Sequence, residues 1–272
     1  MFLAKEKVVE VILVLEALMK NIKVEILNPN IIEDTIKMMA IGARLTQHSH
    51  NIKDLEDFNN LYNTPASSKL IAKLNELPHP TLLHFTKINV VVFGASRRFL
   101  AQITRHQENV KFMSGSLQYS DFSDNSDVAV PYEIIDTEFE EPYKEQCKEA
   151  MDMYASLQKA CGVDNDSAGY VAPQGLRNVL IISATPFQWK HMIAQRICRR
   201  NTAETRYVML LIWNELYKLA PQIFTEDTTG CFCMTSFCKE GSMSCHKPIN
   251  FNDTPDDILH KDFSKLYKEN KC

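Results

Sequence analysis

Between Arg98 and Ser120 the chain places two guanidiniums, an imidazole and an amide ahead of a hydroxyl-rich turn. Phe99, Leu100 and Ile103 are apolar while Arg98, Gln102, Arg105 and His106 are polar, the pattern of a helix end. Arg98 and Gln102 are spaced i,i+4, Gln102 and Arg105 i,i+3, and Gln102 and His106 i,i+4, which aligns four polar side chains along one stripe. Ser114-Gly115-Ser116 follows, a flexible run with hydroxyls and free backbone N–H groups. Arg grips phosphate bidentately and exposed amides add partial positive charge, so the combination forms a candidate anion cradle. The same residues also read as a surface helix with an ordinary loop after it, and the stretch alone leaves both readings open.

Arg105-His106-Gln107, followed by Ser114-Gly-Ser-Leu-Gln-Tyr-Ser120, resembles the signature of flavin-dependent thymidylate synthases, which usually carry Arg-His-Arg, then a Ser, then Arg-Tyr-Ser. Gln107 and Gln118 stand where that family has Arg, and the loop is one residue longer. Residues 185–206 resemble the family's late helix pair, in which an Arg precedes an Ala-Gln-Trp-Glu-Ile-like run. Aligning the Glu of that run with Glu204 puts the family's nucleotide-activating Arg at Arg196 and its flavin-contacting Asn at His191. His79-Pro80-Thr81 is similar to a His-x-Thr-Pro flavin segment, with Leu82 for the Pro and His84 for an acidic residue. Ala43-Arg44-Leu45-Thr46 resembles a piece that gives a hydroxyl to the flavin, and Cys238 to Cys245 resembles a Cys-x-Glu-Gly-x-Met-Ser-Cys ending. The pieces follow the family's order.

The resemblance implies an α/β (α+β) fold: a single domain with a central, mostly antiparallel sheet flanked by helices, plus an irregular Cys-rich tail. It implies reductive methylation of dUMP to dTMP, with methylenetetrahydrofolate as carbon donor and NADPH-reduced FAD as hydride source. The cofactor then carries the difficult chemistry while the protein supplies orientation and charge. No enzyme nucleophile is needed, and the Pro-Cys-His or Pro-Cys-Gln triplet of the ordinary synthases does not occur. By alignment, dUMP falls to Gln102, Arg105, Ser114, Gly115, Ser116, Leu117, Gln118 and Arg196. FAD falls to Thr46, His79, Thr81, Arg105, His106, Gln107, Ser114, Thr185 and His191. Arg196 takes the catalytic role, stabilising negative charge that develops on the N3/O4 side of uracil. The family's active sites form between subunits, which implies a homotetramer working in the cytosol.

Alternatives stand beside several of these residues. Arg196, Arg199 and Arg200 fall at i, i+3 and i+4, which also describes a solvated basic face. Thr46 and Thr81 read equally as caps, His79 and His191 as structural histidines, and Phe187 and Trp189 as core packing. Ser116 has no flanking base and reads as a hydrogen-bonder. Gln118 donates without charge, so a phosphate there requires another cation, for which Lys111 and Arg199 are candidates.

The whole chain sets the bounds. Its 272 residues, 45% hydrophobic and 24% charged, describe an ordinary globular protein of one or two domains. Residues 1–18 read as an extension, 19–225 as the synthase-like domain and 226–272 as the tail. A net charge of −4 gives no global attraction to nucleic acid, which counts against a flavin-dependent methyltransferase acting on uracil in RNA. No apolar run approaches bilayer length. Lys5, Glu6, Lys7, Glu10 and Glu16 interrupt the apolar start, so a secretory signal is not expected there; it reads as an added helix or the product of an upstream start codon. Cys231, Cys233, Cys238 and Cys245 give C-x-C-x4-C-x6-C beside His246. That spacing fits structural zinc poorly, leaving free cytosolic thiols or, alternatively, a zinc-binding interaction protein.

The elements that must position these residues can be read coarsely. Ile22 to Leu27 is a strand ended by Pro29, and residues 30–43 a helix. Thr64-Pro65 reads as a helix start running towards Pro78. A buried strand at Phe85 to Phe93 leads into the motif helix at about 95–106. Residues 121–140 read as a solvated loop and Pro142 to Cys161 as a helix stopped by Gly162. Val179 to Ser183 is a strand or a helix start. Thr185-Pro186 caps the next helix, and Asn201-x-x-Glu204 resembles a capping box before a helix that ends at Pro221.

Overall fold

The protein is described here by a computed structural model covering residues 21–77, 80–125, 127–235, 238 and 240–267. The extension 1–18 and His79 lie outside the described residues. Four strands, β1 (Lys23–Ile26), β2 (Ile88–Ser96), β3 (Val110–Ser114) and β4 (Arg177–Ala184), form one antiparallel sheet in the order β1-β2-β4-β3. The helices that matter here are α1 (Ile31–His48), α2 (Leu55–Asn63), α3 (Ser68–Glu76), α4 (Arg97–Ile103), α5 (Glu140–Cys161), α6 (Pro186–Arg196), α7 (Ala203–Leu219) and α8 (Pro255–Asp262). This is the expected α+β arrangement.

Side chains alternate across a strand, so the register decides which residues form the core. Val90 faces Ile182 and Val92 faces Leu180, and all four are buried. Helices α6 and α7 cover this face with Trp189 and Trp213, both fully buried. Each indole N–H is satisfied, Trp189 donating to the Ile88 carbonyl at 3.1 Å and Trp213 to the Phe224 carbonyl at 2.9 Å. On the opposite face Val91 is buried, but Phe93, its register partner Val179, and Met113 are exposed. Gly94 has φ of +76° at the irregularity between Phe93 and Ala95. A Cβ there would come within 2.9 Å of the Asn21 carbonyl, so the bulge requires glycine.

Several expectations are corrected. Thr64-Pro65 does not start a helix. Thr64 is extended (φ −65°, ψ 121°) and closes α2, because the proline after it disfavours helical ψ; Ser67 caps α3 instead. Val179 to Ser183 belongs to β4, an interior strand. The motif helix is short and ends at Ile103, so Arg105 and His106 lie on the turn after it. Ser114 ends β3 and Gly115 is pinned to β4: its N–H donates to the Val179 carbonyl at 3.1 Å, and its carbonyl accepts from Asn178 at 3.2 Å. That loop start is anchored to the sheet, so the Gly115 N–H is not a free donor. Residues 121–140 are not simply solvated, since Val128, Ala129, Val130 and Ile135 are buried and Val128 bridges Leu176.

The tail after Phe224 is also more ordered than its composition predicts. Ile249, Ile258, Leu259 and Phe263 enter the same core as Trp213. Asp262 of α8 is bound by Arg199, whose guanidinium NH2 donates at 2.7 Å, and by Arg206. Burial alone would raise the Asp262 carboxyl, but the Arg199 hydrogen bond and both guanidinium charges hold it below the usual carboxylate range. Among the described residues no helix is long and apolar enough to cross a membrane.

Candidate active site

The site is built where α4, α6 and α7 converge. Ser96 ends β2 and caps α4, its hydroxyl accepting the Phe99 N–H at 3.1 Å. Glu204, in the first turn of α7, accepts the Ser96 N–H at 2.7 Å and the Ser96 hydroxyl. One carboxylate therefore ties the starts of two helices together. Burial pushes the Glu204 acid up, against the Ser96 hydrogen bonds and the Arg177 charge. This corrects the capping-box reading: Thr202 caps α7 by accepting the Thr205 N–H at 3.4 Å, and Glu204 reaches across to α4. Asn201 donates back to the Gln195 and Cys198 carbonyls.

Arg196 is the last residue of α6 and meets the end of α4. Its Nε donates to His106 Nε2 at 2.8 Å, one NH2 to the Gln102 carbonyl at 2.9 Å, and the other to Asn201 Oδ1 at 3.4 Å. A guanidinium retains further N–H groups after these bonds. Gln102 is fixed from its far side, where its Oε1 accepts from the Thr205 hydroxyl at 2.6 Å. Burial, then the charges of Arg196 and His191, depress the His106 imidazole to about 4. The ring is neutral at neutral pH, and because Nε2 accepts, its proton lies on Nδ1. The exposed His191 ring stands edge-on to His106 at 5.9 Å.

Arg98, Gln102, Arg105, Arg196, Arg200, Asn201 and Thr202 line a cavity of about 590 Å³ with no carboxylate among its described lining residues. Arg200 is partly neutralised by Glu240 at 2.9 Å, which lies outside this lining. Such a concentration of guanidiniums suits an anion, and Arg forks match phosphate geometry.

The remaining predicted residues that are described are not among the described lining residues of this cavity. Ser114, Gly115, Ser116, Leu117 and Gln118 are outside the described lining of this cavity. Leu117 is buried in a second small cluster with Met151 and Tyr154, and Ser116 Oγ accepts the Gln118 N–H at 3.1 Å. Thr46 lies near the end of α1 and bonds back to the Ala43 carbonyl. Thr81 is exposed in a turn beside His84, whose ring is 4.7 Å from Phe187. Thr185 is buried and caps α6 by accepting the Gln188 N–H at 3.3 Å, the structural role that its sequence position also allows. Gln107 is exposed next to His106. Of the cations suggested to stand in for Gln118's missing charge, Arg199 is already committed to Asp262 and to the carbonyls of Lys247 and Pro248.

Arg98, Arg200, Asn201 and Thr202 join the cavity without having been singled out as site residues. Arg98 carried a signal in its place on the polar stripe, and Arg200 in its i,i+4 spacing from Arg196. The tail cysteines form a second cavity, but among the described residues no group of three or more His, Cys, Asp or Glu side chains is placed to hold a metal ion. The zinc-binding alternative is not favoured.

A family model described as thymidylate synthase complementing protein matches residues 30–222. A flavin-dependent thymidylate synthase of Geobacter sulfurreducens is 26% identical over 211 residues, covering 77% of this chain and 88% of that protein. Another, from Thermococcus onnurineus, is 24% identical over 173 residues, covering 61% and 69%. The fold is similar to a crystal structure of thymidylate synthase X from Helicobacter pylori with FAD and dUMP, with TM-score 0.56 at 16% identity and coverage of 75% and 98%. It is also similar to the UMP/dUMP methylase PolB of Streptomyces cacaoi, with TM-score 0.59 at 16% identity and coverage of 76% and 94%. With the family's model matched across most of the chain and an arginine-lined cavity formed by its motif residues, this chain belongs to the flavin-dependent thymidylate synthase family.

Proposed function

We propose that the protein converts dUMP to dTMP by reductive methylation, taking the carbon from methylenetetrahydrofolate. The observation that carries this reading is the cavity in which Arg98, Arg105, Arg196 and Gln102 converge with no carboxylate in the described lining. Arg105 and Arg98 hold the nucleotide phosphate. Arg196, oriented by His106 and the Gln102 carbonyl, presents its remaining N–H groups to the uracil oxygen on which charge accumulates. Gln102 orients the base, its amide set by Thr205.

FAD, reduced by NADPH, supplies the hydride when bound. The residues fit such a group: Arg105 offers a cation for its diphosphate, Gln107 an amide, and His106 and His191 two ring surfaces, of which His106 is neutral. Thr46, His79, Thr81 and Ser114 complete the flavin site, while Ser114 to Gln118 complete the nucleotide site from a second copy of the chain. Two features support this sharing: Ser114 to Gln118 lie outside the described lining of the Arg196 cavity on one chain, and the sheet exposes Phe93, Val179 and Met113. A homotetramer acting in the cytoplasm, built on residues 19–225 with the tail packed against them, is the form we assign.

The test is product analysis by mass spectrometry with dUMP, FAD, NADPH and methylenetetrahydrofolate, each omitted singly. Formation of dTMP only in the complete mixture supports the reading. Failure of the folded, flavin-loaded protein to form it contradicts the reading.

A further inference from the structure

A second cavity, of about 710 Å³, adjoins the arginine cavity and shares Arg196, Arg200 and Asn201 with it. Cys198, Cys231, Cys233, Cys238 and Cys245 all line it. Clustered thiols in one cavity ordinarily indicate a metal, yet these are not arranged as a ligand set among the described residues. Two of them are arranged for something else. The sulfurs of Cys231 and Cys233 lie 3.5 Å apart, so a modest closure brings them to bonding distance. Cys231 is buried, whereas Cys233 is half-buried on the cavity wall.

The pair is also asymmetric. Cys233 Sγ accepts the backbone N–H of Ile249 at 3.3 Å. That donor favours the thiolate on Cys233, whereas the neighbouring Cys233 sulfur and burial raise the Cys231 thiol. The contact with the Cys231 sulfur, the Ile249 N–H and the nearby Arg199 charge outweigh burial and pull Cys233 down to about 6.

From this geometry we infer that Cys231 and Cys233 form a redox-active dithiol that takes a low-molecular-weight disulfide, with Cys233 as the attacking thiolate and Cys231 as the resolving thiol. Cys233 attacks one sulfur of the small disulfide, breaking its S–S bond and expelling one thiolate. Cys231 then gives up its proton and attacks the Cys233 sulfur of the mixed disulfide, expelling the second thiolate. Two protein thiols are oxidised to one disulfide while the small disulfide is reduced to two thiols. The mixed disulfide would occupy a cavity that borders Arg196, but the assignment does not depend on the reaction proposed above.

Thiolate fraction and nucleophilicity oppose each other. At neutral pH the net gain of such a thiol over an ordinary one is only about twofold, whereas near pH 6 it is about tenfold. The experiment therefore treats the full-length protein with oxidised glutathione at pH 6, blocks remaining thiols, and maps cysteines by mass spectrometry. The wild-type chain is expected to yield a Cys231–Cys233 disulfide, reversed by dithiothreitol. Cys231→Ser is expected to accumulate a glutathione adduct on Cys233, and Cys233→Ser to give neither product, with all three proteins matching in circular dichroism. Modification spread evenly over Cys233 and the exposed Cys161, or a disulfide joining a different pair, would overturn the assignment. So would an adduct that Cys231→Ser fails to trap.

Discussion

Arg196 donates from Nε to Nε2 of His106 at 2.8 Å, so a permanent cation is oriented by a neutral imidazole. The relationship works in one protonation state only. An imidazolium has no lone pair to accept with, and protonation would set two positive charges in contact in a half-buried site. Burial first, and then the charge of the guanidinium that the ring orients, depress the imidazole.

A pH signature follows from this. His106 titrates at about 4 in the folded protein against an ordinary 6.5. Between those values the unfolded chain binds more protons, so the stability this group contributes is complete above pH 6.5 and is lost as pH falls through 4. Urea midpoints measured from pH 7 to pH 4 should decline more steeply for the wild type than for His106→Asn. The Asp262 contribution, also from a depressed group, begins to be lost only as pH approaches the ordinary carboxylate value of 3.8, and it is common to both proteins. Parallel curves for the two proteins would show that His106 is not held neutral.

Replacing Arg196 by Ala should lower turnover by about 10²–10³ and leave the fold intact. Arg196→Lys should recover little, because an ammonium cannot bridge His106, the Gln102 carbonyl and the substrate at once. A second readout is independent of activity: in Arg196→Ala the His106 NMR titration should move up towards its ordinary value. An unchanged titration would remove Arg196 as a cause of the His106 shift.

Arg105 and Arg98 are assigned to the phosphate. Arg105→Ala should raise the dUMP dissociation constant by about tenfold or more, the size of one lost charged hydrogen bond. It should have little effect on deoxyuridine, which lacks the phosphate. Calorimetric titration of both ligands against both proteins distinguishes a phosphate contact from a general loss of binding. Equal losses for the two ligands would exclude the assignment.

Glu204 positions rather than reacts. Glu204→Ala leaves the buried Ser96 N–H without its acceptor and should destabilise the protein by about 2 kcal/mol, read from chemical denaturation. Glu204→Gln keeps an acceptor for that N–H and should recover part of the loss. A Gln variant as unstable as the Ala variant would mean that the charge, and not the acceptor, holds α4 to α7.

The sequence carried the parts of this architecture that depend on local chemistry. Thr185-Pro186, Gly162 and Pro221 mark helix ends because capping and proline geometry act over a few residues. Thr64-Pro65 misled because a threonine before proline suits a helix start and a helix end alike; here Thr64 is extended before the proline and closes α2. Val110 to Ser114 escaped notice as a strand, since Lys111 and Met113 are exposed at the sheet edge and give no apolar run. Glu204 looked like a local cap, yet its partner is 108 residues away, a pairing that no spacing rule reveals. The resemblance gave Arg196 and Gln102 to dUMP and His106 to the flavin, but their mutual hydrogen bonds arise only where the end of α6 meets the end of α4 and the turn after it. The gathering of Cys198 with the tail thiols likewise depends on how the tail packs against the end of α6.

The most direct test of the central claim is tritium release from dUMP labelled at C5. The complete mixture of protein, methylenetetrahydrofolate, FAD and NADPH should release tritium, each omission should suppress it, and Arg196→Ala should reduce it by about 10²–10³. A folded, flavin-loaded wild-type protein that releases none, or an Arg196→Ala variant that releases it at the wild-type rate, would contradict the account.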